Sequence, residues 1–200
     1  MSTAPIIGLL LAAGLGSRYR AVSGRHKLLE AVPEGLPGAG MPLALCAARA
    51  LLAGTHAVLA IVRPEDEPLA GLLAASGCEV LGFASPGLGA SLAFGVRARP
   101  EAGGWLVLPA DLPLVRPSTV QAVRAALAVS PCAAPAYRNQ RGHPVGFGAR
   151  HYSALAALDG DRGARDLLET RGWQRIGVDD PGCVADIDVP ADLEACLRPR

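Results

Sequence analysis

The first apolar run, Ile6-Ile7-Gly8-Leu9-Leu10-Leu11, carries no polar side chain at any position. A strand that is apolar on both faces must be covered on both, so it belongs inside a sheet with layers above and below it. The pattern recurs along the chain. Short apolar runs predict further strands over 57–62, 79–83, 105–108, 132–137, 145–147, 174–178 and 184–187. Amphipathic stretches predict helices over 42–53, 67–75, 91–97, 118–129, 151–157, 164–170 and 191–197. Ser118 followed three residues on by Gln121 is a capping-box pattern for one of them. Strands alternating with helices predict an α/β fold of three layers around a mostly parallel central sheet. No repeat or linker interrupts the order. The Pro- and Gly-rich stretch 32–40 reads as a loop, and a single domain spanning 1–200 is expected.

Composition narrows the function classes. Half the residues are apolar and only 4% aromatic, so Ala, Leu and Val must fill the interior. The net charge is +1, with no basic stripe and no acidic tail, which argues against nucleic acid as a partner. No apolar run reaches membrane-spanning length. Residues 1–5 offer no Lys or Arg ahead of the first apolar run, as a signal peptide would. A cytoplasmic protein with no membrane partner is expected. The cysteines, Cys46, Cys78, Cys132, Cys183 and Cys196, form no CxxC pair and no zinc-like spacing with histidine. They read as buried free thiols of a reducing compartment.

The first strand runs into "LLLAAGLGSRYR", Leu9 to Arg20. A Walker A loop needs Lys-Ser or Lys-Thr after its last glycine, but Ser17-Arg18 follows Gly16. A dinucleotide fingerprint needs a glycine at position 19, which is Tyr19. The shared physics survives both failures. Gly14 and Gly16 lack a Cβ, so the backbone can take positive φ and approach a ligand closely. Exposed N–H groups of such a loop form an anion-binding nest, and Arg18 can bond phosphate oxygens in a bidentate manner. The other reading is a plain strand-to-helix turn with a surface arginine. In parallel sheets ligands sit beyond the carboxyl ends of strands. There the run 105–108 ends in Pro109-Ala110-Asp111-Leu112-Pro113, where Asp111 is either a metal ligand held by stiff neighbours or a turn aspartate.

Together these segments resemble a known family. "LLLAAGLGSRYR", "HKLL" at 26–29 and "LPADLPLV" at 108–115 are similar to nucleotidyltransferases built on a glycine-rich N-terminal loop. "SPGLGASLAFGV" at 85–96, "RGHPVGF" at 141–147, "LDGDRGARDLL" at 158–168 and "DIDVPADLE" at 186–194 resemble the molybdenum cofactor cytidylyltransferases, the MocA-like group. The marks run in family order from residue 6 to about 194. The fold this implies is the Rossmann-like nucleotidyltransferase fold.

The resemblance implies a reaction. The terminal phosphate of molybdopterin attacks the α-phosphorus of CTP, and pyrophosphate leaves. The nucleophile is already an anion, so no general base is needed, only alignment and charge neutralisation. By resemblance, Leu11, Ala12, Ala13, Gly14, Gly16 and Ser17 bind the nucleotide, while Arg18 and Lys27 neutralise the reacting phosphates. Arg25 and His26, next to Lys27, read as ordinary surface. Asp111 and Asp188 hold Mg²⁺, with Asp186 competing for the second place. Arg141, Gly142 and His143 contact the pterin substrate or close its pocket, His143 having a packing role as its alternative. Asp161 either caps the helix that follows it or joins that contact, with Gly163 and Arg165. Glycine stands at the position of Ala13 in the guanylyl relatives, so the expected base is that of CTP rather than GTP. A transient partner is a molybdenum-dependent oxidoreductase. Rival readings are a guanylyl or sugar- or polyol-phosphate nucleotidyltransferase, a non-catalytic molybdenum cofactor carrier and, weakened by Tyr19, a NAD-binding oxidoreductase.

Overall fold

The computed structural model describes residues 4–198, so the outermost positions of the expected 1–200 span lie outside the described residues. In chain order the strands are β1 (Ile6–Leu11), β2 (Ala57–Val62), β3 (Glu79–Gly82), β4 (Gly104–Pro109), β5 (Cys132–Tyr137), β6 (Gln140–Arg141), β7 (Val145–Gly148) and β8 (Gln174–Gly177). The helices are α1 (Ser17–Ser23), α2 (Leu43–Leu52), α3 (Glu67–Ala75), α4 (Leu88–Arg97), α5 (Pro117–Ala126), α6 (Tyr152–Ala156), α7 (Arg165–Arg171) and α8 (Pro190–Cys196). The sheet order is β3-β2-β1-β4-β7-β5-β6, with β8 on β5. The β1–β2, β2–β3, β1–β4 and β5–β8 pairs are parallel, whereas β7 runs antiparallel to β4 and β5, and β6 antiparallel to β5. This is the expected α/β architecture with a mostly parallel sheet.

Because strand side chains alternate between faces, each apolar run feeds two cores at once. Leu10, Val58, Ala60, Leu106 and Leu108 meet Leu51 of α2, Leu69 and Leu73 of α3, and Val120 and Val123 of α5. Leu9, Leu59, Ile61, Trp105 and Val107 meet Leu92 and Val96 of α4, Leu155 of α6 and Leu168 of α7. A third, smaller cluster joins Tyr19, Val32, Leu43, Cys46, Ile187 and Leu193, and it packs α1 and α8 together beside the sheet. Cys46, Cys78, Cys132 and Cys183 are buried free thiols, and Cys196 is partly buried. No helix among the described residues is long and apolar enough to cross a membrane.

Several local expectations are corrected. Segment 184–187 is not a strand: Pro181–Val184 forms a 3-10 turn and Ile187 donates its N–H to the carbonyl of Asp111. Helix α1 was not anticipated. Helix α5 begins at Pro117 with no side-chain cap, and Gln121 reaches instead to the carbonyl of Ala53, so the Ser118 capping box does not form. Asp161 does not cap α7. Of the two loop glycines only Gly16 takes the left-handed region, at φ 57°.

Candidate active site

Register builds the site. In the parallel β1–β4 pair, Leu11 stands opposite Pro109. The glycine loop after Leu11 and Asp111 after Pro109 therefore leave the sheet side by side at its carboxyl edge. Ala110 donates its N–H to the carbonyl of Leu11 at 3.0 Å and holds the two exits together. The side chains of Ala12 and Ala13 turn into the two cores, which leaves only their backbone at the edge. Gly14 is exposed, and a Cβ there would meet nothing within 4 Å. Gly16, in the left-handed region, is the N-cap of α1. Within α1, Tyr19 is buried against Ile187 and Leu193, so its neighbours Ser17 and Arg18 face outward.

Charged groups converge on this edge. The Lys27 ammonium lies 2.7 Å from Asp111 Oδ2 and 3.7 Å from Asp188 Oδ1. Arg18 Nη1 lies 2.6 Å from Asp188 Oδ2. The Lys27 side chain is only 10% exposed, whereas that of Arg18 is 76% exposed. The surface pair is therefore readily exchanged for another anion, and the Lys27 pair is held more firmly. Asp188 is set by its own helix: the Asp192 carboxylate accepts the N–H groups of Asp188 and Val189 at 2.7 and 2.8 Å. A recess of about 60 Å³ lies between the glycine loop and Lys27, bounded by Gly14, Gly16 and Asp111.

Two cavities adjoin this edge. One of about 300 Å³ is lined by Leu92, Val145, Phe147 and Leu168, with Arg141 and His143. The other, of about 350 Å³, is lined by Asp111, Asp186 and Gln140, again with Arg141 and His143. These last two side chains thus border both an apolar and a polar space. Burial holds the His143 imidazole below its ordinary pKa of 6.5. Gly142 lines neither cavity. A Cβ on it would come within 2.5 Å of the Cys183 carbonyl oxygen, so its place in the motif is a packing requirement. A larger recess of about 610 Å³ opens near the amino-terminal ends of β1 and β4. There Arg124 is engaged by His56 and Gly54, and Gln121 by Ala53.

The structure thus brings Arg18, Lys27, Asp111 and Asp188 into one network and sets Arg141 and His143 beside it. Two side chains were overlooked or left aside. His26 is not ordinary surface: its Nε2 lies 2.7 Å from Asp66 Oδ2, which ties the Lys27 turn to the start of α3. No local pattern reveals a partner 40 positions away. Asp186 lines the polar cavity with Asp111, and its place in "DIDVPADLE" was the available signal.

The fold has close structural relatives. The Rv0371c protein of Mycobacterium tuberculosis superposes with a TM-score of 0.81 at 25% identity, over 98% of this chain and 99% of that one. A second structure of that protein, a complex with manganese, gives 0.78 at 24% identity, over the same 98% and 99%. A nucleotidyl transferase from Methanothermobacter thermautotrophicus gives 0.78 at 22% identity, over 96% and 95%. The molybdopterin-guanine dinucleotide biosynthesis protein A of Archaeoglobus fulgidus gives 0.66 at 18% identity, over 95% of each chain. No curated protein sequence matches the chain. Residues 8–176 match the model of the MobA-like NTP transferase domain, and the chain belongs to that family.

Proposed function

We propose that this nucleotidyltransferase moves CMP from CTP to the terminal phosphate of molybdopterin and releases pyrophosphate. The observation that carries the reading is the Lys27 ammonium set between Asp111 and Asp188 beneath the glycine loop. A transfer between phosphates needs cations for developing charge and a fixed line of attack, and no proton acceptor. The exposed backbone at Gly14 and Gly16, with the Ser17 hydroxyl beside it, receives the triphosphate. Arg18 and Lys27 turn from carboxylates to phosphate oxygens and neutralise the leaving pyrophosphate. Arg141 and His143 border the space for the acceptor. The apolar wall of Val145, Phe147 and Leu168 suits a flat heterocycle, and Arg141 suits its phosphate.

The donor set fits Mg²⁺. Two carboxylates reach one ammonium, and hard oxygen donors of this number suit an ion that takes its remaining ligands from phosphate and water. Among the described residues no third metal-binding side chain joins them. The manganese complex of the mycobacterial relative agrees with a divalent ion. When bound, the ion would neutralise phosphate charge and fix the orientation of the chain of phosphates. The base is assigned from Leu11-Ala12-Ala13-Gly14; the Archaeoglobus relative, a molybdopterin-guanine dinucleotide biosynthesis protein, makes GTP the competing nucleotide.

The test is label transfer. The protein is incubated with Mg²⁺, molybdopterin and CTP or GTP labelled at the α-phosphorus. Label in a dinucleotide product, faster from CTP, is the expected result. Faster transfer from GTP overturns the base assignment, and no transfer from either supports the cofactor-carrier reading.

A further inference from the structure

The four charged groups of the site already satisfy one another. Lys27 faces Asp111 at 2.7 Å and Asp188 at 3.7 Å, and Arg18 engages the other oxygen of Asp188 at 2.6 Å. Both groups that would meet a divalent cation are therefore occupied by cations. Both groups that would meet a triphosphate are occupied by carboxylates. A divalent ion arriving alone must approach the ammonium of a side chain that is 10% exposed and that lies between both carboxylates, at 2.7 Å from Asp111 and 3.7 Å from Asp188. A bare triphosphate arriving alone must approach Asp111 and Asp188. Either encounter sets like charges together at a few ångströms, where partial burial weakens solvent screening.

A ligand that brings both signs meets neither penalty. We propose that Lys27 is a placeholder cation, and that the site admits the divalent metal and the nucleoside triphosphate as one complex rather than one after the other. As the complex enters, the metal meets the carboxylates and the released ammonium moves a short distance to phosphate oxygen. No covalent bond changes and no proton moves. The inference rests on the reading that Asp111 and Asp188 are the metal's carboxylates. It adds that Lys27 excludes the metal from the free protein. Binding of metal and nucleotide is then synergistic, and by linkage each strengthens the other by the same factor.

The experiment measures Mn²⁺ binding to the whole chain by titration calorimetry and by electron paramagnetic resonance. It is done with and without a CTP analogue whose α- and β-phosphorus atoms are bridged by methylene. The parent protein is expected to bind Mn²⁺ weakly alone and tightly with the analogue. Lys27→Gln removes the charge and keeps a shorter, neutral polar side chain. It should bind Mn²⁺ in the absence of nucleotide about 5- to 150-fold more tightly than the parent, the span usual for coupled sites. Lys27→Arg keeps the charge and should remain as weak as the parent. Lys27→Gln combined with Asp111→Asn should lose the gain, which ties it to the carboxylate. If Lys27→Gln binds free Mn²⁺ no better than a parent that does bind it with the analogue, the placeholder role is overturned and the metal site stands. If Mn²⁺ binding with the analogue is unchanged by Asp111→Asn and by Asp188→Asn, the carboxylate reading itself fails, and the placeholder with it.

Discussion

Ile187 donates its backbone N–H to the carbonyl of Asp111 at 3.0 Å. Its side chain is fully buried between Tyr19 and Leu193. This contact fixes a segment outside the sheet against the end of β4. The residues on either side of Ile187 face the site: Asp188 meets Arg18 and Lys27, and Asp186 meets the cavity that Asp111 also lines. Truncating the anchor should therefore reach the site. Ile187→Ala is expected to lower stability by about 2–5 kcal/mol in urea unfolding, and Ile187→Val by about 0.5–1.5 kcal/mol. A cost for Ile187→Ala no larger than that of Ile187→Val would mean that the segment is not anchored there.

Arg18→Ala and Lys27→Ala should each reduce kcat/KM. Removing one preorganised charge partner of a transition state costs about 3 kcal/mol, on the order of a hundredfold. The Lys27 change should be the larger, because that ammonium is 10% exposed and Arg18 is 76% exposed. Steady-state kinetics with varied CTP reads the difference. Unchanged rates in both variants would remove the pair from the reaction.

Asp180 holds the turn before Ile187. It is 2% exposed and accepts from Arg116 N at 2.9 Å, Thr119 Oγ1 at 2.6 Å and Gly182 N at 3.0 Å. Asp180→Ala leaves these donors without an acceptor. Each buried orphan costs about 1–3 kcal/mol, so a loss of several kcal/mol in chemical denaturation is expected, and Thr119→Val should cost about 1 kcal/mol. Equal effects of the two variants would contradict the shared-acceptor geometry.

His143 sets an acid limit on stability. Burial lowers its folded pKa beneath the ordinary 6.5, so the folded state gains its proton only at lower pH than the unfolded chain does. Well above pH 6.5 neither state is protonated there and the residue adds no slope. As pH falls below 6.5 the unfolded state binds the proton first, and stability declines until the folded pKa is passed. His143→Gln should flatten this part of the curve. Denaturation between pH 7.5 and 5, with metal chelated, reads it, and parallel curves for parent and variant would count against a neutral, half-buried imidazole.

Base choice gives the last variant. Ala13 is 5% exposed with its methyl in the core between sheet and α4 rather than beside the nucleotide, so Ala13→Gly reaches the base only by freeing the backbone next to the loop. Acting through backbone alone, the change is expected to alter discrimination by less than the about 1–3 kcal/mol of a methyl that faces the substrate. The expected result is a lower ratio of kcat/KM for CTP over GTP. An unchanged ratio would assign base reading to other residues.

Much of the fold was legible because short-range periodicity reports it. The runs 6–11, 57–62 and 132–137 appear as strands with the expected bounds, since a strand apolar on both faces has no other stable setting. The glycine loop and Asp111 were legible as candidates for the same reason: each directly follows such a strand. Helix α1 was hidden because only Tyr19 of its seven residues, Ser17–Ser23, is buried, and Tyr19 stabilises a helix there only once α8 lies over it. Segment 184–187 misled because Ile187 is fully buried and Val184 half-buried, as strand residues can be, while the backbone of Ile187 bonds to a loop carbonyl.

What the sequence determined by itself was most of the elements, their layering and the identity of the charged side chains near strand ends. What only the tertiary structure decided was which of those charges meet. Lys27 and Asp111 are 84 positions apart, and Arg18 and Asp188 are 170 apart. No local periodicity carries that information. The β1–β4 register sets the first pair, and the burial of Ile187 beneath α1 and α8 sets the second. Both depend on where whole elements pack, and that packing follows from burying all the apolar faces at once rather than any one of them.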